Sequence, residues 1–280
     1  MSRTATLPTH VRTPTGQEAT AFARWLGRCG LAARGAVYLM VGFVAVRAAI
    51  GSAGRSATDQ SGAVEAIAHL PAGNMLLWII AAGLAGYTAW RLGQALIDLD
   101  HYGQDRKGVI KRLAAFVSAC AYGALAFATA RLAMGEAMRS GESSTQDKTQ
   151  WLMSQPLGRW LVAAVGVIIA GVALYQFHQA LRCGFARRLR GGELTAAQQT
   201  WSVRAGRLGH AARGVAFALI AWFFLQAGLH SDASEAGGLA QALNTLSRQP
   251  YGPWLLATVG AGLGLFGVYS VVESRYRRIG

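Results

Sequence analysis

Charged residues are scarce in this sequence. They make up 14% of the 280 residues, against about a quarter in ordinary soluble domains, while hydrophobic residues reach 52%. Three cysteines are too few for a disulfide framework, and 35 glycines without a Gly-X-Y period exclude collagen. The high apolar content also excludes an intrinsically disordered chain. The composition is therefore that of a protein embedded in a membrane.

Sequence motifs for catalysis and nucleotide binding are missing as well. The chain contains no GxxxxGK[ST], GxSxG, HExxH or CxxCH pattern. Its glycines lie inside apolar runs, where they are typical of helix contact faces. We therefore predict that the protein is not an enzyme, with no catalytic residues, no cofactor and no metal ligands.

Six apolar runs are long enough to cross a bilayer, at about 20 residues for each crossing. An even number of crossings returns the chain to its starting side. The predicted spans are Gly30 to Ile50, Met75 to Ile97, Leu113 to Met134, Leu157 to Leu181, Ala211 to Leu229 and Trp254 to Val272.

Basic residues are distributed unevenly between the two sides of these spans. The side with both termini receives 20 of the 27 basic and six of the 13 acidic residues, so the whole net charge of +14 lies there. By the positive-inside rule this side is cytoplasmic. The predicted partners are the lipid bilayer and its anionic lipids, and a membrane-protein partner is a further candidate. Because membrane orientation accounts for the positive charge, no nucleic-acid partner is predicted.

The first 23 residues are predicted to be a cytoplasmic tail, since they lack the apolar core of a signal peptide. Residues 17–28 place apolar and basic side chains at helical spacing. This segment is interpreted either as a short helix in the inner interface or as a disordered entry to the first span.

The sequence repeats itself three times. A shift of 179 residues superposes the segment 27–35 on the segment 206–214. A shift of 84 residues superposes residues in and just before the first span on identical residue types in and just before the third: Arg28 on Arg112, Tyr38 on Tyr122 and Arg47 on Arg131. Such a period indicates that each unit is one structural repeat.

The second span of each unit carries the same markers. Pro71, Pro156 and Pro250 precede it, and proline is predicted to begin the helix. Short amphipathic segments at 63–70, 149–154 and 239–246 come just before and are predicted to be outer interfacial helices. We predict an all-α membrane protein with six transmembrane helices, arranged as three parallel two-helix repeats around a pseudo-threefold axis. The predicted repeats cover 24–103, 104–190 and 191–280, after the tail 1–23.

These features resemble a known bacterial family. The AARG segment at 32–35, the second helix introduced by proline and ending in an aromatic and a polar residue, and the three copies look like the multipass proteins called domain of unknown function 1206. The likeness covers about residues 24–277 and implies location in the bacterial inner membrane. Ser118 stands in the middle copy where the others have arginine. The family implies no activity.

Arginines within the predicted spans are the most costly residues in the chain. Arg34, Arg47, Arg131 and Arg213 are interpreted as snorkelling, each reaching its own interface with its long side chain. Alternatively, the inner ends of the helices form a polar ring that binds an ion or solute. Its predicted members are Arg34, Arg213, Arg91, Gln94, Gln176, Gln179 and Glu273. The competing interpretation is that these residues are polar only because the second helices of the repeats leave the membrane at these positions.

The molecular activity remains open among three classes. The favoured expectation is a structural or partner-binding membrane component. A small solute or ion transporter that uses the pseudo-threefold axis is the alternative. A haem or quinone redox subunit comes last, because it depends mainly on His178 and His210 as axial ligands.

Overall fold

The chain is helical throughout the residues that the structure describes. The computed structural model describes residues 14–51, 60–99, 103–136, 141–188 and 195–276. Within them the α-helices are α1 Pro14–Ala49, α2 Gln60–Ala68, α3 Gly73–Leu96, α4 Arg106–Ala133, α5 Gly141–Met153, α6 Gly158–Arg182, α7 Ala196–His230, α8 Leu239–Ser247 and α9 Gly252–Tyr276. Six of these, α1, α3, α4, α6, α7 and α9, are long and apolar enough to cross a membrane. The all-α, six-span prediction is confirmed.

The first and fifth spans are parts of longer helices than the sequence suggested. α1 has 36 residues and α7 has 35, or about 50 Å each, against a hydrocarbon core about 30 Å thick. The prediction of a separate interfacial helix or disordered entry at 17–28 is therefore wrong. α1 runs on because no proline interrupts it after Pro14. α7 begins at a capping box made by Thr195 and Gln198.

The three predicted outer segments are helical, as α2, α5 and α8. We call the side of the bundle where α1, α4 and α7 end the outer side, and the opposite side the inner side. α8 buries Leu239, Leu243 and Leu246 along one face. α5 contacts both α2 and α8. The short helices therefore meet one another over the outer end of the bundle.

The repeated prolines do not begin the second helices, contrary to the prediction. Each helix begins two residues later, at Gly73, Gly158 or Gly252. The intervening residue has a positive φ of about 60° in all three turns, and proline followed by positive φ is typical of a type II turn. A Cβ on the glycine would collide with a backbone carbonyl of the preceding short helix. A Pro-x-Gly motif therefore connects each short helix tightly to the next span.

The spanning helices pack in the order α4, α3, α1, α9, α7, α6. This is the order expected for three repeats around a pseudo-threefold axis. The first and third repeats each pack their own two helices together, α1 on α3 and α7 on α9. In the middle repeat, α4 packs on α3 and α6 packs on α7. The described parts of α4 and α6 do not pack along each other, so the circle of helices is interrupted there.

Glycines bring α1 and α9 into close contact. A Cβ on Gly35 would lie 2.9 Å from the carbonyl oxygen of Gly267, and one on Gly42 would lie 2.5 Å from the backbone nitrogen of Gly264. Small residues permit such backbone approach between membrane helices. The first and last spanning helices therefore form a tight seam opposite the interruption between α4 and α6.

Candidate functional site

Arg34 extends from α1 toward α3 and α9 and is buried. Its Nη1 donates to the Tyr87 hydroxyl at 3.0 Å, and its Nη2 donates to Ser270 Oγ and Glu273 Oε2, both at 3.1 Å. The Glu273 side chain is also buried. Because an unpaired charge is very unfavourable in an apolar medium, this ion pair allows both groups to remain charged between the helices.

This arrangement corrects the interpretation that Arg34 snorkels. Groups on α3 and α9 hold its guanidinium inside the bundle, 5.1 Å from the centre of the Phe266 ring. Arg47 and Arg131 lie at the outer ends of their helices and are exposed, as snorkelling side chains should be. Arg131 pairs there with Glu136.

Arg91 joins the same polar group through Tyr87. Its Nε donates to the Tyr87 hydroxyl at 2.9 Å, and its Nη1 donates to Gln94 Oε1 at 3.0 Å. Tyr87 therefore accepts hydrogen bonds from two guanidinium groups. Its ring centre lies 4.8 Å from that of Tyr122 on α4. The group thus extends from α9 through α1 and α3 to α4.

Arg213 belongs to a second polar group. In the orientation that satisfies both neighbours, the Gln176 amide oxygen accepts from both terminal nitrogens of Arg213 at 3.2 Å, and the amide nitrogen donates to His210 Nδ1 at 2.8 Å. The Arg213 guanidinium lies 4.4 Å from the centre of the Phe266 ring. Arg34 and Arg213 therefore contact the same aromatic ring.

The predicted polar ring is thus present as two groups and not as one continuous ring. The first group connects four predicted members through Tyr87: Arg34, Arg91, Gln94 and Glu273. The second connects Arg213 with Gln176. Gln179 is buried, and its amide donates to the Tyr175 hydroxyl at 3.1 Å.

Sequence reasoning missed the aromatic side chains that organise these groups. Tyr87 and Phe266 occupy the same repeat position, three residues before Trp90 and Tyr269 respectively. Extending the repeat comparison by one helical turn would have identified both residues.

The interface of α7 with α6 repeats that of α1 with α9, with one change of charge. Arg213 occupies the repeat position of Arg34, and Gln179 occupies that of Glu273. The arginine is kept while its carboxylate becomes a neutral amide. Among the described residues, no carboxylate lies within 4 Å of the Arg213 guanidinium.

The interface of α4 with α3 differs again. Ser118 takes the position of the arginine on the first helix, and Arg91 and Gln94 supply the polar groups on the second. The three equivalent interfaces together hold three guanidinium groups and one carboxylate, Glu273. The described site therefore has an excess of positive charge between the helices.

The two histidines of the haem hypothesis do not form a pair. His210 is buried and bonded to Gln176, whereas His178 is exposed on α6. A haem held between two axial histidines needs both rings at one site. Within the described residues there is also no group of three or more His, Cys, Asp or Glu side chains that could hold a metal ion.

Comparison with known proteins agrees with the repeat architecture. The model of the family Domain of Unknown Function (DUF1206) matches the chain three times, at residues 29–98, 113–182 and 208–277. The chain belongs to this family. A Bacillus subtilis (strain 168) protein named Uncharacterized protein YxxB is 30% identical over 263 residues, which cover 94% of each chain. No solved structure matches. Neither the DUF1206 description nor the relative's name states an activity.

The middle DUF1206 repeat exposes faces that the other two repeats bury. Val172 is 38% exposed, whereas Tyr87 and Phe266 at the same repeat position are 0% and 1% exposed. Tyr175 is 52% exposed, whereas Trp90 and Tyr269 are nearly inaccessible. The difference arises because α4 does not cover α6 as α1 covers α3 and α7 covers α9.

Residue size explains why the middle DUF1206 repeat remains open. In the third repeat, a Cβ on Gly209 would lie 2.7 Å from the Phe266 backbone, and one on Gly262 would lie 2.5 Å from the Ala212 Cβ. The middle repeat has Ala114 at the first of these positions and Ile168 at the second. Added side chains prevent the backbone approach that glycine permits.

We name the two exposed faces of the middle DUF1206 repeat the lateral cleft. Small and apolar side chains line it on both helices: Ala114, Val117 and Ala121 on α4, and Ile168, Val172 and Tyr175 on α6. Exposed basic residues lie at the inner ends of these helices: Arg106 and Lys111 on α4, and Arg182 on α6. The lateral cleft is thus apolar along its length and basic at its inner end.

Proposed function

We propose that the chain is a non-catalytic membrane component that binds an anionic phospholipid in the lateral cleft. The observation that carries this proposal is the exposure of Val172 and Tyr175, whose counterparts in the other repeats are buried. The acyl chains of the lipid lie against these apolar side chains, and the lipid head group lies at the basic inner end of the cleft.

Charge complementarity supports an anionic lipid over a neutral one. Arg106, Lys111 and Arg182 are exposed near the inner ends of the two helices that flank the cleft. Each basic residue near an anionic membrane surface contributes about 1 kcal/mol of attraction. Apolar lining alone would accept any acyl chain. The basic end therefore supplies the selectivity of the proposed site.

The charge of the whole sequence supports an assignment of the membrane side. The charge excess of the sequence supports a cytoplasmic inner end by the positive-inside rule, and hence an inner membrane protein with both termini in the cytoplasm. The proposed lipid then belongs to the cytoplasmic leaflet, where anionic lipids interact with basic protein segments.

Transport along the pseudo-threefold axis has weaker support. The seam between α1 and α9 is packed through glycine, and α2, α5 and α8 meet over the outer end. A redox role has weaker support again, because His178 and His210 do not share a site. The lateral cleft favours binding from the side of the bundle.

The test is lipid selection by the purified full-length protein. The protein is incorporated into nanodiscs with equal amounts of phosphatidylglycerol and phosphatidylcholine, and the lipids retained after detergent extraction are identified by native mass spectrometry. The variant Val172→Trp fills the lateral cleft. Leu174→Trp, on an exposed face of α6 outside the cleft, is the matched control.

We expect wild type and Leu174→Trp to retain phosphatidylglycerol preferentially, and Val172→Trp to lose this preference. Equal retention of both lipids by wild type would overturn the proposal. A disulfide between two copies of a Val172→Cys variant, formed in membranes at full yield, would also overturn it, because a second protein helix would then occupy the cleft.

A further inference from the structure

Arg213 differs from Arg34 in its counter-charge. Arg34 pairs with Glu273 at 3.1 Å, whereas Gln179 occupies the repeat position of Glu273 in the interface that contains Arg213. Among the described residues, Arg213 donates to the amide oxygen of Gln176, a neutral group. The protein therefore holds a guanidinium between membrane helices without supplying, from its described residues, the carboxylate that the equivalent site contains.

An anionic group from outside the chain would complete this site. A guanidinium in an apolar medium is stabilised by a negatively charged partner. Its planar arrangement of donors suits the oxygens of a phosphate or a carboxylate, since two N–H groups can bind two oxygens together. Nη1 and Nη2 of Arg213 both donate to one neutral amide oxygen. A charged oxygen would accept stronger hydrogen bonds from the same two groups.

Arg213 lies where the lateral cleft can reach it. The Arg213 guanidinium lies 5.4 Å from the centre of the Tyr38 ring on α1 and 4.4 Å from that of the Phe266 ring on α9, so it faces the interior of the circle of helices. The Arg213 side chain is half-buried. Because the circle is interrupted between α4 and α6, the lateral cleft opens toward this interior.

The depth of Arg213 also suits a head group of the inner leaflet. Its partner Gln176 is six residues from the inner end of α6 at Arg182, or about 9 Å along the helix axis. Side chains of a helix tilt toward its N-terminus. Because α7 begins on the inner side, the guanidinium is directed toward the basic end of the cleft.

We infer that Arg213 binds the phosphate of the anionic phospholipid in the lateral cleft, and that Gln179 in place of glutamate keeps Arg213 available for it. This inference rests on the proposed function and names the residue that selects the head group. Gln176 holds the guanidinium in position through its amide oxygen.

The test supplies the missing carboxylate from within the chain. Gln179→Glu places a carboxylate at the repeat position of Glu273, and Arg213→Gln removes the guanidinium proposed to bind the phosphate. Arg207→Gln removes the same charge from an exposed position of α7 and is the matched control. Retained phosphatidylglycerol is measured in nanodiscs, and thermal unfolding is measured in detergent with and without phosphatidylglycerol.

We expect both Gln179→Glu and Arg213→Gln to lower phosphatidylglycerol retention roughly tenfold, the effect of losing one charged hydrogen-bonded contact. Arg207→Gln should retain the lipid. Without lipid, Gln179→Glu should unfold at a higher temperature than wild type, because the new carboxylate pairs with Arg213. A Gln179→Glu protein that unfolds earlier, or retains phosphatidylglycerol as wild type does, would overturn the inference.

Two further results separate this inference from the proposed function. If Val172→Trp abolishes phosphatidylglycerol retention while Arg213→Gln leaves it unchanged, the cleft binds lipid and Arg213 does not select it. Inorganic phosphate serves as the second probe. If it raises the unfolding temperature of the lipid-free protein as much as phosphatidylglycerol does, the site takes a small anion and the lipid assignment is wrong.

Discussion

At the scale of single residues, one ion pair connects the first and last spanning helices. Arg34 and Glu273 are both buried and are 239 residues apart in sequence. Removing one partner of a buried pair is costly because it leaves the other charge uncompensated, by about 3–5 kcal/mol. This pair is therefore a structural feature, distinct from the lipid site inferred at Arg213.

We expect Glu273→Gln to lower the unfolding temperature of the detergent-solubilised protein strongly, since Arg34 then remains charged without its carboxylate. Removing both charges, in the double variant Arg34→Gln/Glu273→Gln, should recover part of the loss. Circular dichroism during heating measures all three proteins. A single variant as stable as wild type would contradict the assigned role.

Residue identity also shows what the sequence could and could not predict of the site. All seven candidate residues were chosen from the sequence, because polar residues are easily recognised inside apolar runs. The snorkelling interpretation of Arg34 was wrong because a single sequence does not reveal which helix lies beside α1. Glu273 is distant in sequence and becomes the partner of Arg34 only through tertiary packing.

At the scale of helices, the difference between close and open pairs depends on small residues. Gly209 lets α7 approach α9 at Phe266, whereas Ala114 occupies the same repeat position in α4.

The bounds of the helices were predicted less well than the location of the spans. The apolar runs located the spans, but the polar first turns of α1 and α7 gave no apolar signal, and the Pro-x-Gly turns moved the start of each second helix.

We expect Gly209→Ala to destabilise the protein by about 1–3 kcal/mol, the usual cost of overpacking, because the added methyl group meets Phe266. Gly171→Ala is the matched control: it is also a glycine in a spanning helix, but nothing lies within 4 Å of an added Cβ. Thermal unfolding in detergent should therefore be lowered by the first variant and unaffected by the second. Equal effects would contradict the explanation of the open middle repeat.

At the scale of the whole molecule, three repeats of one sequence pattern form a circle that one repeat leaves open. The sequence predicted the number of spans and the repeat order, since both depend on hydropathy and self-similarity. It did not predict the interruption between α4 and α6. That feature follows from the exchange of glycine for Ala114 and Ile168, and its effect depends on backbone distances that a sequence does not contain.

The orientation of the molecule in the membrane is a further prediction from its charge. Reporter fusions after residues 105, 190 and 280 should give a cytoplasmic signal, and fusions near residues 60, 145 and 235 should give an external signal, because the basic excess lies on the inner side. Paired alkaline phosphatase and fluorescent protein fusions measure this. An opposite result at one internal position would contradict the six-span topology.

The pairing of Arg34 with Glu273 can form only late in biosynthesis, after α9 has been made. Ribosomes add about 5–20 residues per second, so the 239 residues that separate the pair take roughly ten to fifty seconds to synthesise. Throughout this interval α1 is present without the helix that supplies its carboxylate. A nascent α1 can lower the cost by turning Arg34 toward the interface. We therefore expect the snorkelling orientation, which is wrong for the finished protein, in the growing chain, and we expect Arg34 to turn inward once α9 is inserted.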